Sequence, residues 1–205
     1  MAVLKLTSAE APPFAWRQGL PVLRGRAVTL RELLRADARP LYAAFHTPEV
    51  ARFMWPPPPT IEAFEGFIQW TWSERAAGRY IAYAVVPHGR RDPAGLFELR
   101  QLQPGFFRAE LGFAIAPSAW GTGIFTEAAG LVVDFAFHVA RVHRIEARAA
   151  TLNRRGNAAL RKIGARREGV LRSAFVCDGE YVDQNLWAIV DEGSESGGPV
   201  SHVGI

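Results

Sequence analysis

From Glu110 to Val139 the chain reads as strand, glycine turn and helix, and this unit limits the fold more than any other stretch. Glu110–Ile115 is mostly apolar, and Pro117-Ser118-Ala119-Trp120-Gly121-Thr122-Gly123 interrupts it. Apolar residues then recur at three- and four-residue spacing, at Ala128, Leu131, Val132, Phe135 and Val139, which predicts an amphipathic helix. A helix N-terminus leaves backbone N–H groups unpaired and carries partial positive charge. Glycines in front of it let an anion come close, so such a turn is suited to a pyrophosphate. By itself Gly121-Thr122-Gly123 is equally a plain tight turn. It lacks the Gly-Lys-Ser/Thr of a Walker A loop and the third glycine of a dinucleotide fingerprint.

The flanking sequence alternates between the two periodicities. Val28-Thr29-Leu30-Arg31 predicts a first strand, and Asp37 the cap of a short helix bearing Leu41 and Phe45. Trp55-Pro56-Pro57-Pro58-Pro59 is a stiff extended connector, because proline fixes φ and lacks the N–H. Thr60 caps a second helix with Ile61, Phe64, Ile68 and Trp72 on one stripe, and Gly78 ends it. Strands follow over Tyr80–Val86, Ala94–Leu102 and Phe107–Ala116, with turns at Gly89 and Gln103-Pro104-Gly105. After the main helix come a strand over His143–Ala150, a short helix ending at Lys162-Ile163-Gly164, and strands near Val170–Cys177 and Val182–Val190. The fold class is α+β, a mixed and mostly antiparallel twisted sheet flanked by helices. Residues 1–20 read as an N-terminal arm, 21–192 as one domain, and 193–205 as a polar tail.

Composition excludes several classes. The apolar runs fall far short of the roughly 20 residues of a membrane span, and the N-terminal residues lack the build of a secretory signal. A single cysteine, Cys177, forbids an internal disulfide framework and a cysteine-based zinc site, and the five histidines show no metal spacing. The expectation is a soluble, cytoplasmic protein without metal. Net charge is +4, carried almost entirely by arginine since only Lys5 and Lys162 are lysines. The arginines are scattered, which argues against direct nucleic-acid binding. The arm and tail leave room for a homodimer.

The segment Ala109-Glu110-Leu111-Gly112-Phe113, then Trp120-Gly121-Thr122-Gly123-Ile124-Phe125-Thr126-Glu127-Ala128, resembles the acetyl-CoA motif of the GNAT superfamily of N-acetyltransferases. The ordered set Asn153, Lys162-Ile163-Gly164-Ala165, Glu168-Gly169-Val170-Leu171-Arg172, Asp178-Gly179, Tyr181 and Asp183 extends the likeness toward the branch that acetylates ribosomal-protein N-termini. Upstream, Leu30-Arg31, Asp37-Ala38 and Pro48-Glu49-Val50 resemble that branch's opening. The resemblance implies a GNAT fold whose central strands splay to form a CoA cleft. It implies that acetyl-CoA pairs through its pantetheine arm with the backbone of Phe113, Ala114 and Ile115. The pyrophosphate would sit on the amides around Trp120, Gly121, Thr122, Gly123, Ile124, Phe125 and Thr126, and Asn153 would contact the pantetheine. Asn153 also reads as a plain helix cap.

Two positions depart from the family pattern. Phe125 stands where Gly or Ala is usual, and its ring is expected to turn into the core. Gly156 stands in place of a serine proposed as general acid, and Leu160 in place of a tyrosine, so no general acid is identifiable. Water then serves to protonate the CoA thiolate. Glu110 corresponds to the glutamate that takes the amine proton in related histone acetyltransferases, while a structural glutamate paired with Arg108 or Arg100 is the alternative. The acceptor implied is a primary amine, with a peptide or protein N-terminus ahead of a small amine. Another acyl-CoA donor, or a non-catalytic acyl-CoA sensor, remain open alternatives.

Among other residues, His138 and His143 read as packing or capping groups and Cys177 as a half-buried strand residue. Phe67, Trp70 and Trp72 read as core, with Trp55 either core or acceptor-lining.

Overall fold

The computed structural model describes residues 15–192. The tail expected over 193–205, and the arm expected over 1–20 apart from residues 15–20, lie outside them. Within the arm, Trp16 is buried, its ring 5.2 Å from that of Phe106.

Among the described residues eight strands form one sheet: β1 (Leu23–Arg24), β2 (Val28–Glu32), β3 (Tyr80–Pro87), β4 (Gly95–Gln101), β5 (Arg108–Ile115), β6 (Arg144–Ala150), β7 (Arg166–Cys177) and β8 (Glu180–Val190). Their order is β1-β2-β3-β4-β5-β6-β8-β7. Only the β5–β6 pair is parallel, and the helix between them, α4 (Ile124–His138), makes the crossover such a pair requires. The other helices are α1 (Ala38–Phe45), α2 (Pro48–Ala51), α3 (Ile61–Ala76) and α5 (Arg154–Lys162). No helix among the described residues is long and apolar enough to cross a membrane.

Strand alternation divides the core into two layers. Ile81, Tyr83, Phe97, Leu99, Leu111 and their neighbours pack with Val132 and Phe135 of α4 and Leu160 of α5. The alternate residues Tyr80, Ala82, Ala84 and Leu96 pack with Leu41 and Phe45 of α1 and Phe64 and Ile68 of α3. Thr60 caps α3 as its sequence predicts, accepting from Ala63 N at 3.1 Å. The predicted stripe is the face α3 buries, with Phe64 and Ile68 enclosed and Ile61 and Trp72 partly so.

Several elements differ from the expectation. Asp37 makes no side-chain cap on α1. It is buried and ion-paired with Arg31 at 2.6 Å, and it accepts from Leu34 N at 2.7 Å, because the charge of Arg31 outcompetes the helix amides. α4 ends at His138, which leaves Val139 exposed and buries Ala140 instead. The aromatic group splits: Trp72 donates to Leu33 O at 3.0 Å, whereas Trp70 and Trp55 lie 45% and 80% exposed. Cys177 is fully buried, its Sγ 3.6 Å from Arg52 O.

Removing one partner of a buried ion pair strands the other charge. Asp37→Ala is therefore expected to destabilise the fold by about 3–5 kcal/mol, against about 1 kcal/mol for loss of the α3 cap in Thr60→Ala. Urea denaturation of the two variants checks the order.

Candidate active site

β5 and β6 are paired at Arg108↔Arg144, Ala109↔Ile145 and Glu110↔Glu146, and the ladder goes no further. Beyond that point β5 stays with β4 as far as Ile115↔Gly95, and β6 stays with β8 as far as Ala150↔Gln184. The two strands thus part into a V whose inner edge on one side is Leu111–Ile115. Phe113 sends its ring to the α4 layer, while Ala114 packs on the α1 side. The Ile115 carbonyl already takes one hydrogen bond, from Trp120 Nε1 at 2.8 Å.

The turn after β5 is built by its own side chains. Thr122 Oγ1 donates to Ala119 O at 2.7 Å. Gly121 and Gly123 lie at φ of 76° and 87°, where other L-residues are strained, and a side chain at either would enter open space. Gly123 gives α4 no side-chain cap of its own; Thr122 Oγ1 takes a long hydrogen bond from Ile124 N at 3.5 Å, and the amides of Phe125 and Thr126 are among those a helix leaves without an internal acceptor. Glu127, in the same turn, accepts from Ala27 N at 3.0 Å and from Arg26 N, tying α4 to the β1–β2 hairpin. The Phe125 ring lies between Phe97 and Phe113, at centroid distances of 5.6 and 4.8 Å, inside the helix–sheet layer as expected.

On the opposite limb Asn153 follows β6. Its side chain accepts from Gly156 N at 2.8 Å and so caps α5. Leu160 is buried in the core. Arg155, in the first turn of α5, lies 3.6 Å from the centroid of the Trp120 ring. This cation–π contact joins the two sides of the V.

Glu110 is flanked by cations. It is ion-paired with Arg100 of β4, and Arg148 of β6 stands 3.5 Å from its other oxygen. Below it, Glu146 accepts from Arg108 at 2.6 Å and from Arg144 at 2.9 Å, and Arg144 also pairs with Glu168. Desolvation pushes the Glu146 carboxyl up, but the hydrogen bonds from Arg144 and Arg108 outweigh it and hold the group below the usual carboxylate range.

Sequence reading did not single out Glu98 of β4, which faces Gly112 across the β4–β5 ladder. Tyr80 Oη donates to its Oε2. Desolvation pushes the Glu98 carboxyl up; the Tyr80 hydrogen bond opposes this, the Glu110 charge adds to it, and Arg100 opposes it. Burial and Glu98 together push the Tyr80 phenol up, so it stays a donor. The available signal was a charge inside the apolar run Leu96-Phe97-Glu98-Leu99.

Residues 27–166 match the family model described as acetyltransferase (GNAT) domain. The chain belongs to the GNAT acetyltransferase family. The uncharacterized N-acetyltransferase YoaA of Bacillus subtilis is 29% identical to it over 171 residues, 83% of this chain and 97% of that protein. The spermidine N(1)-acetyltransferase of Escherichia coli K12 is 27% identical over 161 residues, 76% of this chain and 81% of that protein. Mycobacterium smegmatis RimJ, solved in complex with CoA-disulfide, superposes with a TM-score of 0.71 at 26% identity, covering 82% of this chain and 84% of that one. As a GNAT N-acetyltransferase, this protein catalyses acetyl transfer, with acetyl-CoA as the co-substrate that the family uses.

Phe125 fills a half-buried slot between two rings. Its truncation in Phe125→Ala is expected to destabilise by about 2–3 kcal/mol, somewhat below the cost at a fully enclosed phenylalanine, as read by the shift of the urea midpoint.

Proposed function

We propose that this enzyme transfers the acetyl group of acetyl-CoA to the α-amine of a peptide or protein by direct attack, without an acyl-enzyme. The pantetheine arm lies along the free edge of β5 at Phe113, Ala114 and Ile115 and completes its hydrogen bonds as an added strand would. The pyrophosphate rests on the amides from Gly121 to Thr126. An uncapped helix start behind two left-handed glycines supports this placement. Asn153, occupied as a cap, still offers its amide N–H to the pantetheine.

One observation carries the choice of acceptor. The segment after α2 crosses to the far limb of the V, where Phe53 packs against the cluster formed by Ala150, the last residue of β6, with Phe175 and Cys177 of β7. Between this segment and β7 runs an open groove of about 850 Å³, bordered by Met54, Trp55, Pro57 and Phe175. Among the described residues that border it, the one carboxylate is Asp178, paired with Arg52 at 3.0 Å. A polycation would call for several free carboxylates, whereas a mainly apolar groove with an exposed Trp55 suits the first side chains of a peptide. Proton chemistry agrees. An α-amine has a pKa of about 7.7–8.0 and a lysine amine about 10.4, so near neutral pH the α-amine is easier to deprotonate by roughly 3.5 kcal/mol. The resemblance of the sequence to the branch that acetylates ribosomal-protein N-termini supports the same reading, and likeness to the spermidine N(1)-acetyltransferase supports the rival one, a polyamine acceptor.

Free-thiol release with acetyl-CoA and a panel of N-terminal peptides, lysine-containing peptides with blocked N-termini, and spermidine tests the acceptor. Free N-terminal peptides are expected to give the highest kcat/KM, and a clear preference for spermidine or lysine overturns the reading. Gly123→Val places a branched side chain in the space assigned to phosphate. It is expected to weaken CoA binding by more than about tenfold, equivalent to about 1.4 kcal/mol. Unchanged affinity by calorimetry removes the placement of the pyrophosphate.

A further inference from the structure

We infer that Glu98, rather than Glu110, receives the proton that the attacking amine must lose. The inference rests on the acetyl-transfer reading above and assigns a residue within it. Three features of the site point to this carboxylate. The first is position. Glu98 stands opposite Gly112, and its Oε1 lies 2.5 Å from where a side-chain Cβ at residue 112 would be. The carboxylate therefore lies over β5 at a residue that already belongs to the free edge of the V, immediately before Phe113. Glu110 belongs to the last rung that β5 shares with β6. The glycine at 112 is what lets the Glu98 side chain reach this far, since any larger residue would occupy the same space.

The second feature is the division of labour between its oxygens. Oε2 is held by the Tyr80 hydroxyl, and Tyr80 is itself fixed against Trp70, edge to face at 4.8 Å. Oε1 has no hydrogen-bond partner in the protein's described contacts and is the oxygen nearest β5. The third is the contrast in charge partners. Glu110 is ion-paired with Arg100 and approached by Arg148, a setting that stabilises its negative charge and makes proton uptake costly. The charged and titratable groups about Glu98 are Tyr80 on β3, Arg100 on its own strand and Glu110 on β5. Their combined effect with desolvation leaves the carboxyl raised, the direction that favours taking up a proton.

The step balances without any further reactant. An N–H bond of the ammonium breaks and an O–H bond forms on Glu98, leaving a neutral amine. Its lone pair attacks the thioester carbon, the C–N bond forms, and the C–S bond breaks with its electron pair going to sulfur. The thiolate takes the remaining surplus proton of the new amide nitrogen, and Glu98 returns its proton to water. Glu110 keeps Arg100 and Arg148 in place and contributes its field to Glu98.

The test is the pH dependence of kcat/KM between pH 5 and 9, by thiol release from acetyl-CoA with the best N-terminal peptide, for Glu98→Gln, Glu110→Gln and Tyr80→Phe. CoA affinity by calorimetry and melting temperature are measured on each. Glu98→Gln is expected to lose about 100-fold or more near neutral pH and to lose the limb that the carboxylate sets, so that activity follows only the deprotonation of the amine at its own pKa, with CoA affinity unchanged. Glu110→Gln is expected to keep the limb but move it to lower pH, because the negative charge that raises Glu98 is gone. Tyr80→Phe removes a hydrogen bond that favours the ionised carboxylate, so its limb moves to higher pH. A limb retained in Glu98→Gln and abolished in Glu110→Gln overturns the inference. Should Glu98→Gln fail to fold, an unmoved limb in Tyr80→Phe overturns it equally. If peptides are not turned over but spermidine is, the α-amine reading falls alone, and the same variants assayed on spermidine decide Glu98.

Discussion

A strand that loses its neighbour part-way along leaves a row of backbone N–H and C=O groups with nothing to bond, and such groups are costly unless water or a ligand satisfies them. In this protein β5 and β6 separate after Glu110↔Glu146, while β4 and β8 hold their outer edges in place. The parting is therefore a fixed gap within a continuous sheet and not a loose end. A ligand that carries amide groups in an extended chain fits such an edge, and the pantetheine arm of acetyl-CoA is one. The crossover helix α4 begins soon after β5 ends, so the glycine turn and the free edge are set by neighbouring residues.

The foot of the V is charged where the rest of the sheet interior is apolar. Arg108, Glu146, Arg144 and Glu168 form a chain of ion pairs across β5, β6 and β7, and Arg100, Glu110 and Arg148 form a second across β4, β5 and β6. The carboxylates of Glu146 and Glu110 are the covered members, and their partners Arg100, Arg108 and Arg148 reach outward to solvent. Glu98 differs because its principal contact is a neutral phenol, and that difference separates a carboxylate that holds strands together from one free to exchange a proton.

Much of this was legible in the residues. The helical stripes, the glycine turn and the strand before it follow from periodicity and turn chemistry, and α3 and α4 begin at the predicted positions. The resemblance in Trp120–Ala128 pointed to the family, which the match over residues 27–166 establishes. What escaped depends on pairing across the chain. Four-residue α2 and two-residue β1 are too short to show a period. Asp37 looked like a cap because its cation, Arg31, is recognisable only once β2 and the turn before α1 are folded together. Trp70 and Trp55 carried the composition of a core but lie at its edge. Glu98 shows in the sequence only as a charge within an apolar run, because its meaning lies in facing Gly112, a relation set by the β4–β5 register.

That relation also restricts how the sequence can drift. The carboxylate of Glu98 occupies the volume a side chain at 112 would need, so a change at 112 obliges Glu98 to move aside. A lineage that shortens position 98 first can place alanine or a larger residue at 112 without displacing a carboxylate. The reverse order passes through a variant in which the carboxylate is expelled from its place beside Tyr80. History, and not only stability, thus bears on which pairs of residues can stand at these two sites.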